Sequence, residues 1–119
     1  MPSATQHCTK INHNRDFVTF LKTSPSSFND WVITGMFYTA LHQIERYLDE
    51  KVGHHCNTHS QRHDWMFRTA DLNRIWYDYQ DLYNMSMDAR YRFITMTDDD
   101  VSEAEEYLEA IENQIESLL

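Results

Sequence analysis

Three groups of residues have the types and spacing that chemistry would need. The first is His59-Ser60-Gln61-Arg62, where His59 and Arg62 stand three apart and so share a helical face. A helix N-terminus, a guanidinium and an imidazole together form a seat for phosphate or another anion; the alternative is a solvated first turn. The second is Tyr83, Ser86 and Arg90, at i, i+3 and i+7 beside the core position Leu82. Polar groups on an apolar stripe need partners when buried, so these three either form a structural network or line a ligand site. The third is His42, which follows Trp31, Gly35 and Tyr38 along one helical face. It reads either as a hydrogen-bonded core histidine or, if it shares a cleft with His59 and Arg62, as an acid–base group for a phosphodiester.

Other chemistries are excluded or set aside. His54, His55, Cys56, His59 and His63 crowd ten residues, and zinc accepts such ligands. Their spacing fits no ordinary finger and there is no CxxC or HExxH, so neither a metal nor any other cofactor is expected. Two glycines cannot build a phosphate loop or a dinucleotide fingerprint.

The elements that must position these residues are helices. Gly and Pro number two each, which favours uninterrupted helical segments. Residues 1–9 show little periodicity and are expected to fray. Asn12 or Asn14 then caps a short helix carrying Phe17, Val18 and Leu21, which stops before Ser24-Pro25. Ser26 or Ser27 opens a long helix to about Val52, with Gly53 as its stop. Ile33, Phe37, Leu41, Ile44 and Leu48 mark one apolar face of it and the Trp31–His42 stripe another, which places this helix at the centre of a bundle. Thr58 and Gln61 form a capping box for a third helix carrying Trp65 and Met66. A fourth presents Leu72, Ile75, Tyr79, Leu82 and Ser86 as far as Tyr91. Asp98 or Asp99 caps the last, whose stripe is Val101, Ala104, Leu108, Ile111, Ile115 and Leu118. Nothing reads as a strand. The expectation is a single all-α domain, a four- to five-helix up-and-down bundle.

The 119 residues suffice for one core. No apolar run approaches the ~20 residues a membrane span needs, and Met1 to Lys10 lack the apolar stretch of a secretory leader. With two cysteines and no CxxC, a reduced, cytoplasmic setting is expected. The net charge of −9 is unevenly spread: nine acids and no base follow Thr97, whereas residues 1–97 hold ten acids and ten bases. Arg62, Arg68, Arg74, Arg90 and Arg92 therefore remain available for a local positive site suited to a nucleotide or a short RNA.

Several pieces of sequence in a fixed order resemble prokaryotic HEPN-domain proteins. They are Asp30-Trp31-Val32, Phe37 to His42, Thr58-His59 with Arg62, Tyr79 to Tyr83, and Ser86 with Ala89-Arg90-Tyr91. The resemblance spans roughly residues 28–118. It implies a helical bundle, a homodimer, a link to nucleotides or RNA, and a toxin–antitoxin or defence setting with a nucleotidyltransferase partner. Many such proteins are metal-independent RNases that use an Arg followed a few residues on by His. Here seven residues separate Arg46 from His54, His63 directly follows Arg62, and no His follows any later Arg. Binding without turnover is accordingly the expectation, at a pocket of His42, His59, Arg62, Tyr83, Ser86 and Arg90. A metal-free RNase and a purely structural interaction module are the alternatives.

Overall fold

The computed structural model describes residues 2–23, 28–92 and 94–119, which form six α-helices and no strand. They are α1 (Ala4–Thr23), α2 (Asn29–Tyr47), α3 (His59–Arg68), α4 (Ala70–Asn73), α5 (Trp76–Tyr91) and α6 (Asp98–Leu118). The all-α bundle expected from the periodicity is what forms, and α2 is its centre, packed on α1, α5 and α6. Cross-contacts fix the directions. His7 meets His42 while Ala4 meets Asp49, so α1 and α2 run antiparallel. Tyr47 reaches Asp71 and Tyr38 reaches Arg90, so the chain returns along α2 in the opposite sense. Arg15 pairs with Glu112 and Lys22 with Glu105, which sets α6 antiparallel to α1.

The core follows the expected stripes. Ile33, Phe37, Leu41, Ile44 and Leu48 of the central helix are buried against Tyr79, Leu82, Ala104, Ile111 and Ile115. Gly35 lets α1 approach closely, since a Cβ there would lie 2.8 Å from Val18 Cγ2. After Tyr47 the helix widens into one π-helical turn, Leu48–Val52, and ends at Gly53 with φ 70°, the left-handed stop that glycine tolerates. Widening shifts the side-chain phase at a helix end, a feature common beside functional sites.

Four expectations need correction. The stripe expected on one fourth helix is divided, with Leu72 on the short α4, Ile75 at the cap of α5, and only Tyr79, Leu82 and Ser86 on α5 itself. The expected frayed start is helical from Ala4 onward: α1 begins there and runs for 20 residues. Ser3 Oγ accepts from the Gln6 N–H, and Gln6 Oε1 accepts from the Ser3 N–H, a reciprocal box that satisfies two donors otherwise left open. Burial of His7 and Ile11 then holds the first turns down. The helix therefore does not start at Asn12 or Asn14. The cap of α6 is Thr97 rather than Asp98 or Asp99; its hydroxyl accepts from Asp100 N–H and Asp100 accepts from Thr97 N–H. At α3, Thr58 accepts from the Gln61 N–H as expected, but the Gln61 side chain accepts from Asn57 instead of Thr58. The Ser26 or Ser27 cap lies outside the described residues.

Because Ile11 is 3% exposed and Phe20 of the same helix is 70% exposed, the two should separate in urea denaturation. Ile11→Ala should cost about 2–5 kcal/mol, and Phe20→Ala should stay within about 0.5 kcal/mol.

Candidate functional site

The junction of α2, α3 and α5 is built around the buried ring of Phe37. Ring centroids of Tyr38, Tyr83 and His59 lie 5.3, 5.5 and 5.8 Å from it, at the tilted and edge-on angles aromatic quadrupoles favour. His59 is the first residue of α3 and leans on Tyr83 at 5.2 Å. Burial, and then the charges of Arg62 and Arg90, push its pKa below the usual imidazole value, so the ring is neutral near neutral pH.

The two arginines of the site have different roles. Arg62 is buried, and its Nε donates to Glu45 Oε1 at 2.6 Å. Glu45 is 1% exposed, and its other oxygen accepts from the Cys56 N–H at 3.4 Å. Arg62 thus ties α3 and the preceding loop to α2, and its charge is neutralised where it lies. The sequence expectation of Arg62 as an open cleft cation is corrected on this point: nothing in residues 58–63 shows that the partner waits 17 residues upstream. Arg68 and Arg92 are likewise taken up, by Asp64 and Asp88 one helical turn away.

Arg90 pairs with no carboxylate among the described residues. Its Nη1 donates to Tyr38 Oη at 2.7 Å, its Nε to the Ser86 carbonyl and its Nη2 to Ser86 Oγ, both at 3.2 Å. The guanidinium carbon lies 5.2 Å from the Tyr38 ring and 5.1 Å from the Tyr91 ring, within cation–π range. Ser86 is fully buried, and its hydroxyl also donates to the Tyr83 carbonyl at 2.7 Å. The Tyr83–Ser86–Arg90 stripe is therefore a network whose product is a fixed, positively charged fork. That fork opens on a groove of about 520 Å³ lined by Asn29, Asp30, Ala89, Arg90, Tyr91 and Thr95 among others. A narrower recess of about 190 Å³ adds Trp31 and Thr34 to the same wall.

His42 keeps different company. Its Nδ1 lies 2.7 Å from His7 Nδ1, and it lines a separate 350 Å³ groove between α1 and α2 with Lys10, Asn14 and Tyr38. Burial, then the neighbouring His7, Lys10 and Arg62, push its pKa down to about 4. Of the six expected residues, His59, Arg62, Tyr83, Ser86 and Arg90 gather round the Phe37 junction; His42 joins α1 instead. Asp30, Trp31 and Tyr91 complete the groove and were not among the six, although all three lie in the pieces of sequence that carry the family resemblance. Cys56 is buried, and desolvation followed by Glu45 raises its thiol to about 11, so it supplies no thiolate nucleophile. No protein-family model, curated protein or solved structure matches this chain. No described helix is long and apolar enough to cross a membrane.

Removing one member of a buried pair strands the other. Arg62→Ala should therefore lower the unfolding free energy by about 3–5 kcal/mol, read by chemical denaturation, whereas an Arg62→Met, Glu45→Leu double variant should recover a large part of that loss.

Proposed function

We propose that this chain is a HEPN-like binding module for a phosphate-bearing ligand, a nucleotide or a short single-stranded RNA, held in the groove under Arg90. One observation carries the reading: the residue pieces behind the family resemblance, Asp30-Trp31 and Ala89-Arg90-Tyr91, stand apart in sequence yet line one recess. Arg90 supplies a preorganised cation without a carboxylate partner among the described residues. Trp31 and Tyr91 are 50% and 64% exposed and offer faces on which a base can stack. Asp30 supplies an acceptor for a ribose hydroxyl or an exocyclic amine. The wider groove, at about 520 Å³, falls within the roughly 300–1,000 Å³ typical of small-molecule sites. Toxin–antitoxin or defence work beside a nucleotidyltransferase belongs to the same reading.

The metal-free RNase is the second reading, and His59 favours it. A neutral imidazole within the field of Arg62 and Arg90 is the base-plus-cation pair that attack by a 2′-hydroxyl requires. A titration of labelled adenosine diphosphate and of a short RNA, in EDTA, separates the two readings. We expect saturable binding that weakens with salt and intact RNA. Arg90→Gln should weaken binding about tenfold or more, as the loss of a charge-assisted contact of roughly 1.5–3 kcal/mol implies. RNA cleavage abolished by His59→Ala would install the RNase, and binding indifferent to Arg90→Gln would remove the groove.

The module is further proposed to act as a homodimer. Outside the groove, Phe17, Phe67 and Tyr77 are each more than 40% exposed, apolar surface that favours self-association. Light scattering at tens of micromolar should give twice the chain mass, and a strict monomer would withdraw the dimer.

A further inference from the structure

A second cluster lies at the far end of α2. One ligand atom each from His7, Glu45 and His55 come within 4.8 Å of one another. The three residues belong to α1, α2 and the loop after the π turn. We propose that they form a binding site for a divalent transition-metal ion of the zinc type, which clamps the start of α1 to the α2–α3 loop.

The donor set fits. Two imidazoles and a carboxylate suit borderline ions such as zinc. His55 Nδ1 and Glu45 Oε2 are 3.6 Å apart, too far for a strong hydrogen bond and close to the about 3.3 Å separating two ligands of a tetrahedral zinc. His7 is 2% exposed, and its Nδ1 is engaged by His42 Nδ1 at 2.7 Å. Its Nε2 is buried with no hydrogen-bond partner, an arrangement that ordinarily costs stability and that a bound cation would relieve.

The supporting contacts are those of a metal site as well. Ligating imidazoles and carboxylates are usually oriented by a second hydrogen bond away from the ion. His42 fills that role for His7, and Arg62 for Glu45 through Oε1, leaving Oε2 on the His55 side. Arg62 brings a positive charge close by and opposes the ion, which points to moderate rather than extreme affinity. Asp49, whose carboxylate accepts from the Ala4 N–H, lies near enough to bear on His7 and supplies compensating negative charge. The crowded histidines 54 to 63 form no local site: His54 stacks on Trp65 at 4.0 Å and His63 packs edge-on against Tyr83 at 4.8 Å. Only His55 of that run joins the cluster, with a partner 48 residues upstream.

The test uses the untagged full chain, stripped with EDTA and titrated with zinc or cobalt(II) by calorimetry, with melting temperature and the cobalt visible spectrum as further readouts. We expect one ion per chain, a raised melting temperature that stays raised in His13→Ala, and four- or five-coordinate cobalt bands. Both His7→Ala and His55→Ala should abolish uptake. If His7→Ala loosens α1 in circular dichroism, His55→Ala, which alters only a loop, is the deciding variant. Absence of saturable uptake by the wild-type chain, or uptake unchanged in His55→Ala, overturns the site.

Discussion

The ion pair between Glu45 and Arg62 organises one end of this protein. Two opposite charges, each at most 6% exposed, meet at 2.6 Å between the central helix and α3. Taking them out of water is costly, and only close geometry with further hydrogen bonds offsets the cost. Glu45 obtains those bonds from the Cys56 backbone and stands beside His55. The loop after the π turn, the first turn of α3 and the histidines packed on both sides therefore take their places from one carboxylate.

That constraint separates structural from available charge. Of the mid-chain arginines with an assigned ion pair, Arg62, Arg68 and Arg92 are spent on Glu45, Asp64 and Asp88. Arg90 is instead held by neutral groups, the Tyr38 and Ser86 hydroxyls and the Ser86 carbonyl. Its charge is thus fixed in direction without being cancelled, the condition for recognising an incoming anion. Two acids of the C-terminal helix, Glu105 and Glu112, face α1, where Lys22 and Arg15 meet them, and Asp98 in its first turn accepts from the Asn29 side chain at the edge of the groove.

Much of the fold was legible because helical burial leaves a periodic trace. The Ile33–Leu48 stripe of the central helix and parts of the α5 and α6 stripes predicted buried residues, whereas the Trp31–His42 stripe faces a groove with Trp31 half exposed; Gly53 marked a left-handed stop. The start of α1 was hidden because it rests on Ser3 and Gln6, a short polar signal among residues without an apolar stripe. The candidate site was legible in part. Tyr83, Ser86 and Arg90 lie along α5, and His59 and Arg62 one turn apart on α3, and local spacing finds each of these groups. The partners that decide their roles are long-range: Glu45 for Arg62, Tyr38 for Arg90, His7 for His42. No window of sequence contains those pairs. Only the packing of α1 and α3 on the central helix brings them together.

The two arginines divide the work of holding the fold and meeting a ligand, and side-chain NMR reads that division directly. The Nε–H resonances of Arg62 and Arg90 can be followed while adenosine diphosphate is added to the labelled protein. The Arg90 resonance should shift progressively to saturation, while the Arg62 resonance, locked on Glu45, stays in place. Movement of Arg62 with Arg90 unchanged would contradict the proposed roles.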